Sequence, residues 1–245
     1  MRSRRLTGAV VAALLAGALG GCATGAEEPE GELTVFVAAS LAEVADRVSQ
    51  EARIEANVSA AGSSDLVSQV VSGAPADVLV TADEETMARA VEDGAVEEPE
   101  IVAANHPALV VPAGNPAGIT GMDDLQDATL VVCAPQVPCG AAALELADLA
   151  GVELDPASEE PNVTDVLGTV TSGQADAAVV YTSDVVRARG EVEQVEVPEA
   201  DQVTNAYPAA VVAGTDQPER ARAWLDALTG DPGREALAEA GFDLP

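Results

Sequence analysis

Short blocks in which almost every position is apolar alternate along this chain with longer stretches where apolar residues return every third or fourth position. The blocks read as buried strands and the stretches as amphipathic helices. Leu33–Ala38 is the first such strand. Leu41, Val44, Ala45 and Val48 then put one apolar face on a helix over Leu41–Arg53. Ile54–Ala60 gives a second strand. A helix starting near Ser64 carries Leu66, Val67, Val70 and Val71 and stops at Gly73-Ala74-Pro75, where glycine and proline together break it. Ala76–Thr81 gives a third strand, and Asp83 is placed to cap a helix over Glu84–Val91. This β-α-β-α-β-α run with tight connections predicts an α/β fold of the doubly wound kind.

A second series follows. Ala108–Pro112 and Thr129–Cys133 read as strands, Ala141–Leu149 and Val163–Thr171 as helices, and Ala177–Tyr181 as a buried strand. Tyr207–Val212 gives another strand before two terminal helices, Glu219–Leu228 and Gly233–Ala240, with Trp224 and Leu228 as their packing pair. Two lobes linked by strand crossings near residues 105–110 and 204–210 are expected, with residues 33–107 and 208–245 in lobe 1 and residues 108–207 in lobe 2. A cleft between lobes is a favoured place for a small ligand.

The first 22 residues change the picture of where such a protein works. Arg2, Arg4 and Arg5 precede an apolar core, Leu6–Leu19, that is too short for a permanent span. Leu19-Gly20-Gly21-Cys22 resembles a bacterial lipobox, in which the cysteine is lipidated, and the polar residues 23–32 then form a tether. Two anchored chains suffice for stable attachment, so the body of the protein is expected outside, held to a membrane it does not cross. Formal net charge is −31 and no lysine occurs, which excludes a nucleic-acid partner. Aromatic residues are limited to Phe36, Tyr181, Tyr207, Trp224 and Phe242, too few for a stacked sugar cleft. His106 is the single histidine, so any Ser-His-Asp triad would have to use it.

The chemistry suggested by the pattern lies at the helix starts. Ser40 stands just before the first helix, and Ser63 and Ser64 just before the second, each after a strand of the same sheet. A helix start offers unpaired backbone N–H groups and a partial positive charge, and a serine adds a hydroxyl donor. Two such starts at one sheet edge could converge on a small oxyanion. Read singly, each serine is also an ordinary helix cap.

Five segments in order then resemble the periplasmic molybdate-binding proteins, the receptors of molybdate ABC transporters. They are VFVAASL (35–41), GSSDLVSQV (62–70), GAPADV (73–78) with Ala82-Asp83, VPCG (137–140) and VYTSD (180–184). The resemblance implies a two-lobed periplasmic-binding-protein fold of type II, no cofactor and no enzymatic activity. It also implies a molybdate or tungstate ligand, delivery to an ABC transporter permease, and a monomer. Carried over by position, the oxyanion ligands are Ser40 and Ser63, the backbone amides of Cys139 and Val163, and the Tyr181 hydroxyl, all neutral donors. Cys139 departs from the alanine usual in that turn. With Cys133 six residues earlier, a disulfide is expected in an exported protein, the alternative being two free thiols.

Neutral donors would also select. A protonated anion such as hydrogen phosphate brings a hydrogen that an all-donor pocket leaves unsatisfied, at about 1–3 kcal/mol. Sulfate is a smaller tetrahedron, too small for donors spaced for molybdate. Three rival readings stand beside this one. A receptor for sulfate, thiosulfate or a small carboxylate would, for the carboxylate, want an arginine fork. An exported serine hydrolase would need His106 beside Ser40 or Ser63. An adhesion module would show a broad exposed apolar patch.

Overall fold

The computed structural model describes residues 31–245; the leader, Cys22 and the tether up to residue 30 lie outside the described residues. The first series is β1 (Leu33–Ala38), α1 (Ala42–Ala52), β2 (Ala56–Ala61), α2 (Ser63–Val71), β3 (Val78–Val80), α3 (Glu84–Glu92) and β4 (Glu100–Asn105). His106 alone separates β4 from β5 (Pro107–Pro112), which opens the second series. That series continues through β6 (Leu130–Cys133), α4 (Pro138–Ala150), β7 (Ser158–Glu160), α5 (Val163–Thr171), β8 (Ala177–Tyr181), α6 (Thr182–Arg187) and β9 (Val192–Val195). The chain then returns through β10 (Asn205–Val211) and ends in α7 (Pro218–Thr229) and α8 (Asp231–Glu239).

Two five-stranded sheets result, in the orders β2-β1-β3-β10-β4 and β7-β6-β8-β5-β9. They follow one plan. In each, three strands run parallel, and the fourth, which arrives from the other lobe, pairs antiparallel with both neighbours. This is the two-lobed α/β architecture that the residue pattern predicts.

Strand period sorts the core of lobe 1 into two layers. Leu33, Val35 and Val37 pack under α1, α7 and α8 with Trp224, Leu228 and Leu237, whereas Phe36 points the other way to Leu66, Val70, Leu79 and Met87. The Trp224 indole N–H donates to Ser49 Oγ at 2.9 Å, so the largest buried side chain leaves no polar atom open. Lobe 2 has one continuous core running from Leu109 to Val203.

Four elements escape the sequence pattern. β4, β7 and β9 are edge strands; β7 (Ser-Glu-Glu) and β9 carry no solid apolar block, and β4 has only the four-residue run from Ile101 to Ala104, with Ile101 exposed. α6 is a short helix of six residues. Helix boundaries also shift. Ser40 lies inside a 3-10 turn, Ala39–Leu41, and α1 begins only at Ala42. Ser63 and Ser64 are the first residues of α2, whose N-cap is Gly62, and neither is a cap. α4 starts at Pro138, a residue suited to a first helical position, so Cys139 belongs to the helix.

Candidate functional site

The shared plan of the sheets places the site. β1 and β2 are neighbours whose paired ends are Ala38 and Ala61, and each strand runs directly into a helical turn. β6 and β7 are the equivalent neighbours in lobe 2, with paired ends at Cys133 and Glu160. Four helix starts therefore issue from the carboxyl edges of two facing sheets. They carry Ser40 and Ser63 on one side, Cys139 and Val163 on the other. Tyr181 ends β8, beside β6, and joins them.

All five expected residues line one small cavity, together with Ala38, Ala39, Ala61, Gly62, Ala82, Val137, Pro138 and Asn162. The space open to the centre of a water-sized group is about 20 Å³, enough for a cluster of a few oxygen atoms and too little for a sugar or a peptide. No charged side chain lines it. The lobes meet around its mouth: Ser64 Oγ donates to the Gln136 carbonyl at 2.8 Å while accepting from Arg89 Nη2 at 3.2 Å. Gly62 lies so close to lobe 2 that a Cβ there would stand 2.5 Å from the Pro161 carbonyl oxygen.

The donors are set individually. Ser63 Oγ accepts the Ala82 N–H at 3.0 Å, which fills a lone pair and leaves its proton to give. Ser40 Oγ is 2.9 Å from the Tyr207 hydroxyl. The Tyr181 hydroxyl is buried and makes no hydrogen bond among the described residues. Burial first, then the neighbouring Tyr207, Asp83 and Asp184, hold that phenol well above its ordinary value, so it stays a neutral donor. Its backbone N–H donates to Asp184 at 3.0 Å. Asp184 is itself wholly buried and paired with Arg187 at 2.5 Å; burial raises its carboxyl despite that partner.

Cys133 and Cys139 are joined in a disulfide with a Cα separation of 5.6 Å, which ties the first turn of α4 to the end of β6. The same join is crowded further along: a Cβ on Gly140 would fall 2.0 Å from the Ala134 carbonyl oxygen. Asn162 caps α5 by accepting from Asp165 N–H at 3.1 Å. Asp83 caps α3 in the same way through Thr86 N–H.

Sequence reasoning missed three residues here: Gly62, Asn105 and Tyr207. His106, by contrast, is removed from the chemistry. Its Nδ1 meets the Val203 carbonyl at 2.7 Å and its Nε2 meets Asp243 at 3.0 Å, while both serines have other partners. No triad forms. A wider groove beside Ser40 holds Arg47, Arg187 and Arg189, each paired with a carboxylate, so it offers no free arginine fork. Large exposed apolar residues are spread over α2, α3, β4, α4 and α6. Among the described residues no helix is long and apolar enough to cross a membrane.

Comparison with known proteins gives the family and the fold. A family model described as bacterial extracellular solute-binding protein matches residues 33–243. The molybdate-binding protein ModA of Mycobacterium tuberculosis is 39% identical over 98% of this chain and 97% of its own length. Among solved structures, the Azotobacter vinelandii periplasmic molybdate-binding protein matches 87% of this chain and 100% of its own, with a TM-score of 0.72 at 19% identity. The sulfate-binding protein SubI of M. tuberculosis matches 87% of this chain and 86% of its own at a TM-score of 0.69 and 22% identity. The fold alone is thus shared by proteins named for different oxyanions.

Proposed function

Because the chain belongs to the bacterial extracellular solute-binding proteins, we propose that it captures molybdate, and with it tungstate, in the cavity between its lobes and passes it to an ABC transporter permease. The observation that carries this reading is a small cavity walled by neutral donors, with one of them, the Tyr181 hydroxyl, buried and unpartnered. A dianion fits such a wall because every oxygen can accept and none needs to donate. Hydrogen bonds to an ionised acceptor are roughly twice as strong as neutral ones. Ser40, Ser63 and Tyr181 would donate through hydroxyls, Cys139 and Val163 through their backbone amides at the starts of α4 and α5. Lobe closure completes the set, since neither lobe alone holds all five.

Attachment follows from the same reading. Cys22 would carry the lipid and residues 23–32 would act as tether, keeping the receptor at the outer face of the membrane as a monomer. The relative from M. tuberculosis, named for molybdate, supports the choice of anion.

Calorimetric titration of the chain from residue 23 with molybdate, sulfate and phosphate at equal ionic strength tests the proposal. One-to-one molybdate binding with sulfate at least about tenfold weaker, a gap of 1.4 kcal/mol, is expected. Sulfate binding as tight as molybdate would mean a smaller cavity and a sulfate receptor. Absence of binding to all three would remove the oxyanion reading.

A further inference from the structure

Ser63 and Ser64 stand side by side at the start of α2, but only Ser63 lines the cavity. Ser64 meets the other lobe instead. Its hydroxyl donates to the Gln136 carbonyl at 2.8 Å and accepts from Arg89 Nη2 at 3.2 Å. Both directions are fixed by the partners, because a carbonyl oxygen only accepts and a guanidinium only donates. Arg89 lies on α3 and is steadied by the buried Thr86 one turn earlier, whose Oγ1 accepts from the same Nη2 at 3.3 Å.

Arg89 is unusual in its partners. Arg47, Arg187, Arg189 and Arg222 are each paired with a carboxylate. Among the described residues Arg89 has no such pair, in a chain of net charge −31, and gives its N–H to two hydroxyls. A charged donor polarises the hydroxyl it meets and strengthens the bond that hydroxyl makes in turn. Arg89, Ser64 and the Gln136 carbonyl therefore form a relay that crosses from lobe 1 to lobe 2. Gln136 immediately precedes Val137, the N-cap of α4, whose first turn holds Cys139. The relay thus ties together two helix starts expected to hold the anion from opposite lobes. The other hydrogen bonds between the lobes, among the described residues, gather around Asn105, His106 and Thr182, where β4 passes into β5. Bonds at a pivot survive its rotation; one between helix starts at the mouth has to break when the lobes part. Arg189 and Glu43 also face each other across the groove beside Ser40, at 3.7 Å, but both are exposed, and such a pair is weak.

We infer that Ser64 is a latch on the closed lobes and Arg89 a positioning residue that acts through it, so that the two set how slowly a captured anion leaves. The inference rests on the oxyanion reading and adds to it two residues outside the cavity wall. Because neither lines the cavity, their effect falls on release and leaves capture as it was.

Ser64→Ala removes the latch, and Arg89→Met removes the cation while keeping an unbranched side chain on α3. Ser64 is half-buried and Arg89 exposed, and alanine and methionine both suit a helix, so the fold should hold. The dissociation rate is read by chasing radiolabelled molybdate with unlabelled molybdate, and Kd by calorimetry, which together give the association rate. Ser64→Ala is expected to release molybdate about three- to tenfold faster and Arg89→Met about two- to fivefold faster, with association within about twofold of wild type. The double variant should release no faster than Ser64→Ala alone, because Arg89 acts only through Ser64. Effects that multiply in the double variant would make Arg89 independent and overturn the relay. Association that slows in Arg89→Met, most at low salt, with release unchanged would make it a steering charge and overturn the relay as well. Unchanged release from Ser64→Ala overturns the latch and leaves the molybdate receptor standing. A wild-type protein that binds no molybdate overturns the oxyanion reading, and the latch with it.

Discussion

A buried hydroxyl without a partner costs a fold about 1–3 kcal/mol, and the Tyr181 hydroxyl is in that position. Its removal should therefore act oppositely on the free and the bound protein. Tyr181→Phe is expected to weaken molybdate binding by roughly 10- to 100-fold, the range for a hydrogen bond to a charged acceptor. The ligand-free melting temperature should hold or rise, as calorimetric scans would show. A fall of several degrees would mean that the hydroxyl has a protein partner after all. Tyr181, Ser40 and Ser63 were legible in the chain because each sits in a short motif at a strand end. Tyr207 and Asn105 were not. Ser40 and Tyr207 are 167 positions apart, and no local spacing announces a bond made only when β10 returns between β3 and β4.

Element by element, apolar blocks marked the interior strands and the periodic stretches marked the long helices. Three of the four edge strands of the described sheets stayed hidden, β7 and β9 because they carry few apolar residues and β4 because its apolar run is only four residues long, whereas β2, also an edge, was legible. The boundaries that mattered most were helix starts: those of α3 and α5 fell at Glu84 and Val163 as the pattern put them, and the other expected ones moved by one to three residues once tertiary contacts were in place. Gly62 shows why. It caps α2 with extended backbone, where any residue could stand, so the demand for glycine comes from lobe 2 and not from α2 itself. Gly62→Ala is predicted to hold the lobes apart at Pro161. Anion affinity should drop by about tenfold or more with little change in melting temperature, and small-angle scattering with molybdate present should keep the larger radius of the open form. The disulfide acts at the same level. A loop this short restrains the unfolded chain by only about 2 kcal/mol. Its greater effect is to hold the first turn of α4, where the Cys139 amide lies, against β6.

On the scale of the whole molecule, a strongly acidic surface and an anionic ligand coexist because they act over different distances. Exposed carboxylates are screened beyond about 8 Å at physiological salt. The cavity carries no charged side chain, and what an anion meets there is a set of fixed dipoles. The two lobes contribute to that set in the same way because they share one topology, and the strand each sends to the other makes them a doubly connected body rather than two domains on a linker.

That exchange of strands also orders events in time. Every strand of the second sheet comes from one uninterrupted stretch, β5 to β9, whereas the first sheet has β10 inserted between β3 and β4. A chain emerging from the ribosome N-terminus first can therefore complete its second lobe while the first still has a gap in its middle. A fragment ending at residue 204 should show slow amide exchange over β5–β9 and fast exchange over β4, which has lost its pairing partner β10. Protection spread evenly over both sheets would refute this order. The half of the molecule made first is the half finished last, and no binding cleft exists until synthesis is nearly over.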